Sequence, residues 1–267
     1  LFREIEDQKR YGFIISVAAP RDAVSFRLGC NLFHPITIDQ SLAHDGVGEV
    51  PGIKDDDNQF DIRGHANRLV VVGEAELGLF ASLFDSVGTP AREARLPLVH
   101  SREVLSVLQR FEVHPHRLRD LGDRVLGTRF WHETEQQRDG TIERNVKFAE
   151  RPSELVLSGP HFFVANPLNK TPREGCRHNQ DYDVIDLENA ADDYLPRTQY
   201  VPRKPLAHWP LNPVLDGRPH TSYYRSAHRD MLALTGERSV IGAVIPPDVP
   251  HVHGVISLSF ADPADLC

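Results

Sequence analysis

Leu157-Ser-Gly-Pro-His-Phe-Phe-Val-Ala-Asn-Pro-Leu-Asn-Lys-Thr-Pro-Arg173 decides how the fold is read. Leu155 to Leu157 and Phe162 to Ala165 are short apolar runs, and Ser158-Gly159-Pro160 between them is turn chemistry, so two brief strands meet at a bend. Downstream, prolines recur at 167, 172, 196, 202, 205, 210, 213 and 219. Proline fixes φ and removes a ladder donor, so this part of the chain runs extended. Tyr182, Tyr194, Tyr200 and Trp209 lie inside it, with Tyr223 and Tyr224 just after, which is too aromatic for a disordered linker. The spacing predicts a long ordered loop over 166–222, a feature that in a compact domain usually serves function.

Working outward, Tyr11 to Ala19 and Val24 to Gly29 read as strands joined by a turn at Pro20-Arg21-Asp22. Residues 44–61 read as a solvated acidic loop centred on Asp55-Asp56-Asp57. Arg68 to Val72 reads as a buried strand, and Glu74 to Phe84 as a helix with Leu77, Phe80, Ala81 and Phe84 at helical spacing. Residues 91–100 read as a linker. Ser101 is placed to cap a second helix carrying Val104, Leu105, Leu108 and Phe111. Residues 127–165 read as β-rich, and Ser239 to Ile245 and Val255 to Phe260 as further strands. Helices and short strands mix without regular alternation, so the fold class is α/β or α+β around the long Pro-rich loop.

The chain has 267 residues, with Lys and Arg numbering 30 against 38 Asp and Glu, for a net charge of -8. Hydrophobic residues at 40% and charged residues at 25% exclude collagen-like, disordered and membrane classes. The length fits one large or two smaller domains. No stretch approaches the roughly 18 apolar residues of a spanning helix, and no basic segment precedes an apolar one as in a signal peptide. Cys30, Cys176 and Cys267 are odd in number and widely separated, which argues against a disulfide framework and for a reducing cytosol. The first residue is Leu1 and the only methionine is Met231, so the chain reads as a piece of a longer protein.

No Walker loop, GxGxxG, GxSxG or HExxH occurs, which leaves the commonest enzyme classes without support. His114-Pro115-His116, His251-Val252-His253 and Cys176-Arg177-His178 are the candidate metal ligands, but no further ligand sits at conventional spacing. Asn166-Pro167-Leu168-Asn169 lacks the second proline and the aromatic of the tetrad with which DNA amino-methyltransferases hold a target amine. Asn169-Lys170-Thr171-Pro172-Arg173 is more informative. Asn pairs bidentately with adenine and Arg with guanine, while Lys and Thr suit phosphate oxygens. Arg197, Arg203 and Lys204 continue the pattern. Arg225 and Arg229, four apart, share a face if helical, and Arg238 precedes an apolar strand, where it reads a base or pairs structurally. Between 195 and 238 the chain holds 7 basic and 3 acidic residues, a basic stretch within an acidic total. The competing reading is an ordinary surface on which these arginines pair with Asp181, Asp183, Asp192 and Asp193.

Several separated motifs together resemble one family. The stretch from Leu157 to Arg173, Tyr182-Asp-Val-Ile-Asp-Leu187, Asp192-Asp-Tyr-Leu-Pro-Arg-Thr-Gln-Tyr200 and Glu237-Arg-Ser-Val-Ile-Gly-Ala-Val-Ile-Pro-Pro247 resemble, in order, the target-recognition region of Type IIG-like restriction–modification proteins, which fuse an N6-adenine DNA methyltransferase to a specificity region. Leu1 to Ser16 resembles the strand after the catalytic core, and Ala94 to Leu105 the linker into the recognition region. The resemblance implies that 1–90 is the tail of a methyltransferase region and 91–267 the recognition region. It implies double-stranded DNA and the parent's methyltransferase core as partners, in the cytoplasm. S-adenosylmethionine and the flipped adenine would belong to that core, with no cofactor and no catalysis in this chain alone. DNA contacts would fall to Asn169, Lys170, Thr171, Arg173, Arg197, Arg203, Lys204, Arg225, Arg229 and Arg238. Two other readings stand beside it: a protein-interaction or scaffold module, suggested by the acidic balance, and a metal-dependent hydrolase built on the His-x-His pairs.

Overall fold

A computed structural model describes residues 14–15, 22–162, 170–178, 180–231 and 240–266. The chain divides into two units, Leu1–His114 and Pro115–Cys267. Every pair of strands that forms a sheet is antiparallel. With helices set apart from several small antiparallel sheets, the fold is α+β.

Unit one contains β1 (Ser25–Gly29), α1 (Ile36–Ala43), β2 (Leu69–Gly73), α2 (Glu74–Phe84) and α3 (Arg102–Glu112). β1 pairs with β2, and along β2 Val70 and Val72 are buried while Val71 between them faces out, the period-two signature of a one-sided strand. The carboxylate of Glu76 accepts from the Gly73 N–H at 2.8 Å, filling one of the orphan donors at the start of α2. Leu77, Phe80 and Ala81 are buried as their spacing predicts, joined by Leu79, whereas Phe84 is partly exposed at the helix end. α3 turns Leu105 inward with Leu108 packed on the same core, while Val104 and Phe111 face outward. Ser101 holds the N-cap position of α3 without bonding a helix amide. The acidic stretch 44–61 is a loop, and its Asp55 carboxylate accepts from the N–H groups of Asp57 and Gln59 at 3.1 and 2.8 Å, folding the acidic run into an Asx-type turn.

The first compact unit ends at His114. The reason is packing: Ala91, Ala94, Val99, Leu105 and Leu108 all join the cluster built on Val70, Val72 and Phe80. The expected linker 91–100 is therefore part of the core of unit one.

Unit two contains β3 (Val125–Thr128), α4 (Glu133–Arg138), β4 (Ile142–Phe148), β5 (Lys170–Pro172), β6 (Tyr182–Val184), β7 (Arg197–Pro202), β8 (Val214–Leu215), β9 (Arg218–Pro219), β10 (Arg225–Arg229), β11 (Gly242–Ile245) and β12 (Val255–Phe260). Its main sheet runs β11-β10-β12-β3, and β4-β7, β5-β6 and β8-β9 form separate two-stranded ribbons. The Pro-rich stretch is thus not one loop: its described part carries five short strands. β8 and β9 close over Asp216-Gly217, both at positive φ (47° and 74°), the backbone that a two-residue Asp-Gly hairpin requires. Pro250 to His253 threads between Trp131 and Leu157, with Leu157 N–H to Pro250 O at 2.9 Å and His253 N–H to Trp131 O at 2.8 Å. Of Leu155 to Leu157, only Leu157 pairs, through an isolated bridge to His251. Most of the expected strands Tyr11 to Ala19 and Phe162 to Ala165 lies outside the described residues.

Candidate nucleic-acid interface

β7 is the element on which most of the expected contacts converge. It pairs with β4, with a bulge between Arg144 and Lys147. At its first residue, the Arg197 N–H donates to Thr171 Oγ1 at 2.9 Å, tying β7 to β5. β5 in turn pairs with β6 in the register Lys170↔Val184 and Thr171↔Asp183. Lys170, Thr171, Arg173 and Arg197, separated in sequence, are thereby gathered at one end of β7. Arg203 and Lys204 follow at the other end, just past Pro202.

A buried lock sets this arrangement. His161 Nδ1 accepts from the Ser158 N–H at 3.0 Å, which leaves Nε2–H to donate to the Arg197 carbonyl at 2.9 Å. The hydroxyls of Ser158 and Tyr182 meet at 2.9 Å, and the Tyr182 ring stands edge-on to His161, 5.3 Å between centroids. Burial pushes the His161 pKa down and that of Tyr182 up, so both stay neutral. The Ser-Gly-Pro-His turn read first from the sequence therefore works as a clamp joining β6 and β7.

The cations themselves are mostly held by carboxylates. Arg173 pairs with Asp183 at 2.7 Å, both more than half exposed. Arg203 pairs with Glu143 at 2.7 Å. Lys204 bonds Thr141 Oγ1 at 3.0 Å and approaches Asp139 at 3.7 Å. The Arg197 guanidinium lies over the Phe148 ring, 4.6 Å from its centroid. The competing reading named Asp183 as a partner, and the Arg173–Asp183 pair is formed. Of Tyr194 and Tyr200, which the sequence interleaves with the basic residues, Tyr194 is half-buried and Tyr200 is buried, its hydroxyl donating to Glu133.

Two other expected contacts lie elsewhere. Arg225 and Arg229 are on β10, a strand and not a helix, in the main sheet. Arg225 is fully buried, and its Nη2 donates to the carbonyls of Val249 and Pro246. It cannot meet a phosphate on a duplex surface, so its assignment as a DNA contact is withdrawn. Arg229 is half-buried. Asn169 and Arg238, like the Asn166-Pro-Leu-Asn stretch, lie outside the described residues.

Beside Arg225 is a layer that sequence reasoning missed. Arg225 is opposite Ser259 and Ala227 opposite Ser257, so both serines share its face of the sheet. His220 spans them, with Nδ1 2.7 Å from Ser259 Oγ and Nε2 2.8 Å from Ser257 Oγ. His251 Nε2 is 2.7 Å from Ser257 Oγ and its Nδ1 is 3.3 Å from the Val252 carbonyl. A carbonyl only accepts, so His251 carries its proton on Nδ1 and accepts from Ser257. Ser257 then accepts from His220 Nε2–H, and Ser259 donates to His220 Nδ1. Burial, and the charge of Arg225 nearby, push both histidines down to about 3. They are neutral at pH 7.

The rings of His251 and His253 go to different partners: His253 stacks on His132 at 4.7 Å. The Cys176 thiol donates to the His178 carbonyl at 3.3 Å and accepts from Gln199 at 2.9 Å. Among the described residues, no group of three His, Cys, Asp or Glu side chains is placed to hold a metal ion. Nor is any helix among them long and apolar enough to cross a membrane. No family model, curated protein or solved structure matches the chain.

Proposed function

We propose that unit two is a DNA-target-recognition module of the kind fused to N6-adenine methyltransferases, acting in the cytoplasm with a methyltransferase core that binds S-adenosylmethionine. The observation that carries this reading is the gathering of Lys170, Thr171, Arg173 and Arg197 at one end of β7, with Arg203 and Lys204 at the other. Along a strand, the step from Arg197 to Arg203 spans about 20 Å, or roughly six base pairs of duplex axis. The ordered motifs that resemble those of Type IIG-like proteins support it from the sequence side.

The carboxylate partners do not oppose it. Exposed ion pairs such as Arg173–Asp183 contribute only about 0–1 kcal/mol. A phosphate, which offers Arg a bidentate charged acceptor, competes well against that. The carboxylates instead hold Arg173, Arg203 and Lys204 in place until a phosphate competes for them.

Fluorescence-anisotropy binding to a duplex at roughly 50 and 200 mM salt tests the reading; four phosphate contacts correspond to a loss on the order of 100-fold over that range. Arg173→Ala with Arg197→Ala is expected to weaken binding and flatten the salt slope by about two contacts' worth. Asp183→Asn, which frees Arg173, is expected to strengthen it. Binding that ignores salt, or a double variant with an unchanged slope, removes this face from DNA recognition. Salt-insensitive capture of a partner protein would favour the scaffold reading, to which the outward Val104, Val107 and Phe111 of α3 lend an apolar surface.

A further inference from the structure

We infer that unit two carries an internal binding site for a small oxyanion, centred on Arg225 and separate from the proposed DNA face. Arg225 is fully buried, yet its Nε and Nη1 nitrogens have no hydrogen-bond partner among the described residues. A buried guanidinium with donors left empty is among the costliest arrangements a core can hold. Burial lowers its pKa only to about 10, so it remains charged at neutral pH.

Neighbouring groups do not meet that demand. Among the described residues of unit two no Asp or Glu is buried, and the nearest carboxylate in play, Asp248, is half-exposed and makes no bond to the guanidinium. The serine and histidine layer is closed on itself, each hydroxyl proton and ring nitrogen being used within it. Unit one holds a milder case: buried Arg68 also leaves its Nε unpartnered, but Nη1 and Nη2 each donate to a carbonyl and the nearby carboxylate of Asp61, itself bonded to Arg63, is buried. What Arg225 lacks is an anion with oxygen acceptors.

A second observation marks a way in. Among the described residues six non-glycines have positive φ, and four of them are Asn or Asp, which tolerate it. The other two are Phe130 (φ 58°) and Leu211 (φ 57°), and both line one cleft with Thr128, Asn212 and Pro213. Strain of this kind in bulky residues collects where a chain binds or moves. Thr128 pairs across the sheet with Ser257, and the Phe130 ring lies 5.6 Å from His251 and 6.5 Å from His220. The cleft therefore borders the polar layer through Phe130 and Thr128, which makes it the approach from solvent assigned to the anion.

The test compares thermal unfolding of the full chain in sodium phosphate, acetate and chloride at one pH and one ionic strength. At tenfold above its Kd, a bound anion raises the midpoint by a few degrees. A rise in phosphate alone assigns a phosphate-type ligand, in acetate alone a carboxylate, and in both a general oxyanion site. The rise is expected to persist in Arg173→Ala/Arg197→Ala, which separates it from phosphate bound on the DNA face, and to vanish in Arg225→Met. Should Arg225→Met fail to fold, the ¹H–¹⁵N signal of Arg225 Nε in the wild-type chain gives the answer, by a saturable shift with the same anions. Equal midpoints in all three salts, or an Arg225 signal that no anion moves, overturns the site.

Discussion

Acidification from pH 7 to pH 5 is expected to cost unit two about 4 kcal/mol, with His220 and His251 as the cause. In the folded state both titrate at about 3, because burial and the Arg225 charge exclude a further cation from the layer. In the unfolded chain they titrate near the ordinary value of about 6.5. Their folded values are depressed, so the unfolded state binds more protons at every pH between those limits. The stability they contribute is fully present above pH ~6.5 and is lost as pH falls toward 3. At pH 5 each is about 1.5 units below its unfolded value, or on the order of 2 kcal/mol. A domain typically has only about 5–15 kcal/mol to lose. The paired carboxylates, such as Asp139 and Glu154, also have depressed values, but their contribution fades only below pH ~4. Loss that begins near pH 6.5 is thus the mark of the buried histidines, and His161 and His228 of the same unit, also held below the ordinary value by burial, add to it in the same direction. Denaturant midpoints measured between pH 7.5 and 4.5 check this, and His220→Gln, which keeps a polar side chain but cannot ionise, should remove about one proton from the slope. A flat profile across that range would mean that the layer opens to solvent in the native state.

The same layer shows where the sequence was legible and where it was not. α2 and β12 have the boundaries that their patterns predict, because each shows a clear period bounded by turn residues. What the pattern inverts is the inward face. In β12 the half-exposed positions are Ile256 and Leu258, and the buried ones include Ser257 and Ser259. On β10, Arg225-Ser-Ala-His-Arg229 reads as surface, yet Arg225 and Ala227 face inward. Hydropathy assigns each residue by its transfer cost alone, whereas partners supplied from far along the chain change that cost. His220 and His251 are those partners, and nothing local announces them. For the candidate site the position is similar. The types and order of Lys170, Thr171, Arg173 and Arg197 were readable, but their meeting depends on the His161–Arg197 and Ser158–Tyr182 bonds, which join residues 36 and 24 apart. A related case is 91–100, which has the composition of a linker yet is held by the side chains of Val99 and its neighbours.

Gly64→Ala is expected to destabilise unit one by about 3 kcal/mol or more, at a residue no motif singles out. A methyl group there would stand 2.4 Å from Gln40 Cβ, 2.5 Å from Ser41 N and 2.6 Å from the Gln40 carbonyl carbon. Two of these are backbone atoms inside α1, so no rotamer change relieves the clash and the helix itself must retreat. Retreat breaks the bonds that seat it. Thr37 Oγ1 donates to the Ile62 carbonyl at 2.7 Å, and the His65 N–H donates to Ser41 Oγ at 3.1 Å. Thr37, Ser41 and His65 are all buried, so each broken bond leaves a polar group unsatisfied, at about 1–3 kcal/mol apiece. Gly78 is the control within the same unit. It lies inside α2 with nothing within 4 Å of an added Cβ, and Gly78→Ala should stabilise by up to about 1 kcal/mol through helix propensity alone. Urea unfolding of the two variants beside the parent measures both signs at once. If Gly64→Ala unfolds within about 0.5 kcal/mol of the parent, the range of ordinary surface substitutions, then α1 is not seated on residues 62–65, because only a helix free to drift could accept the methyl without loss.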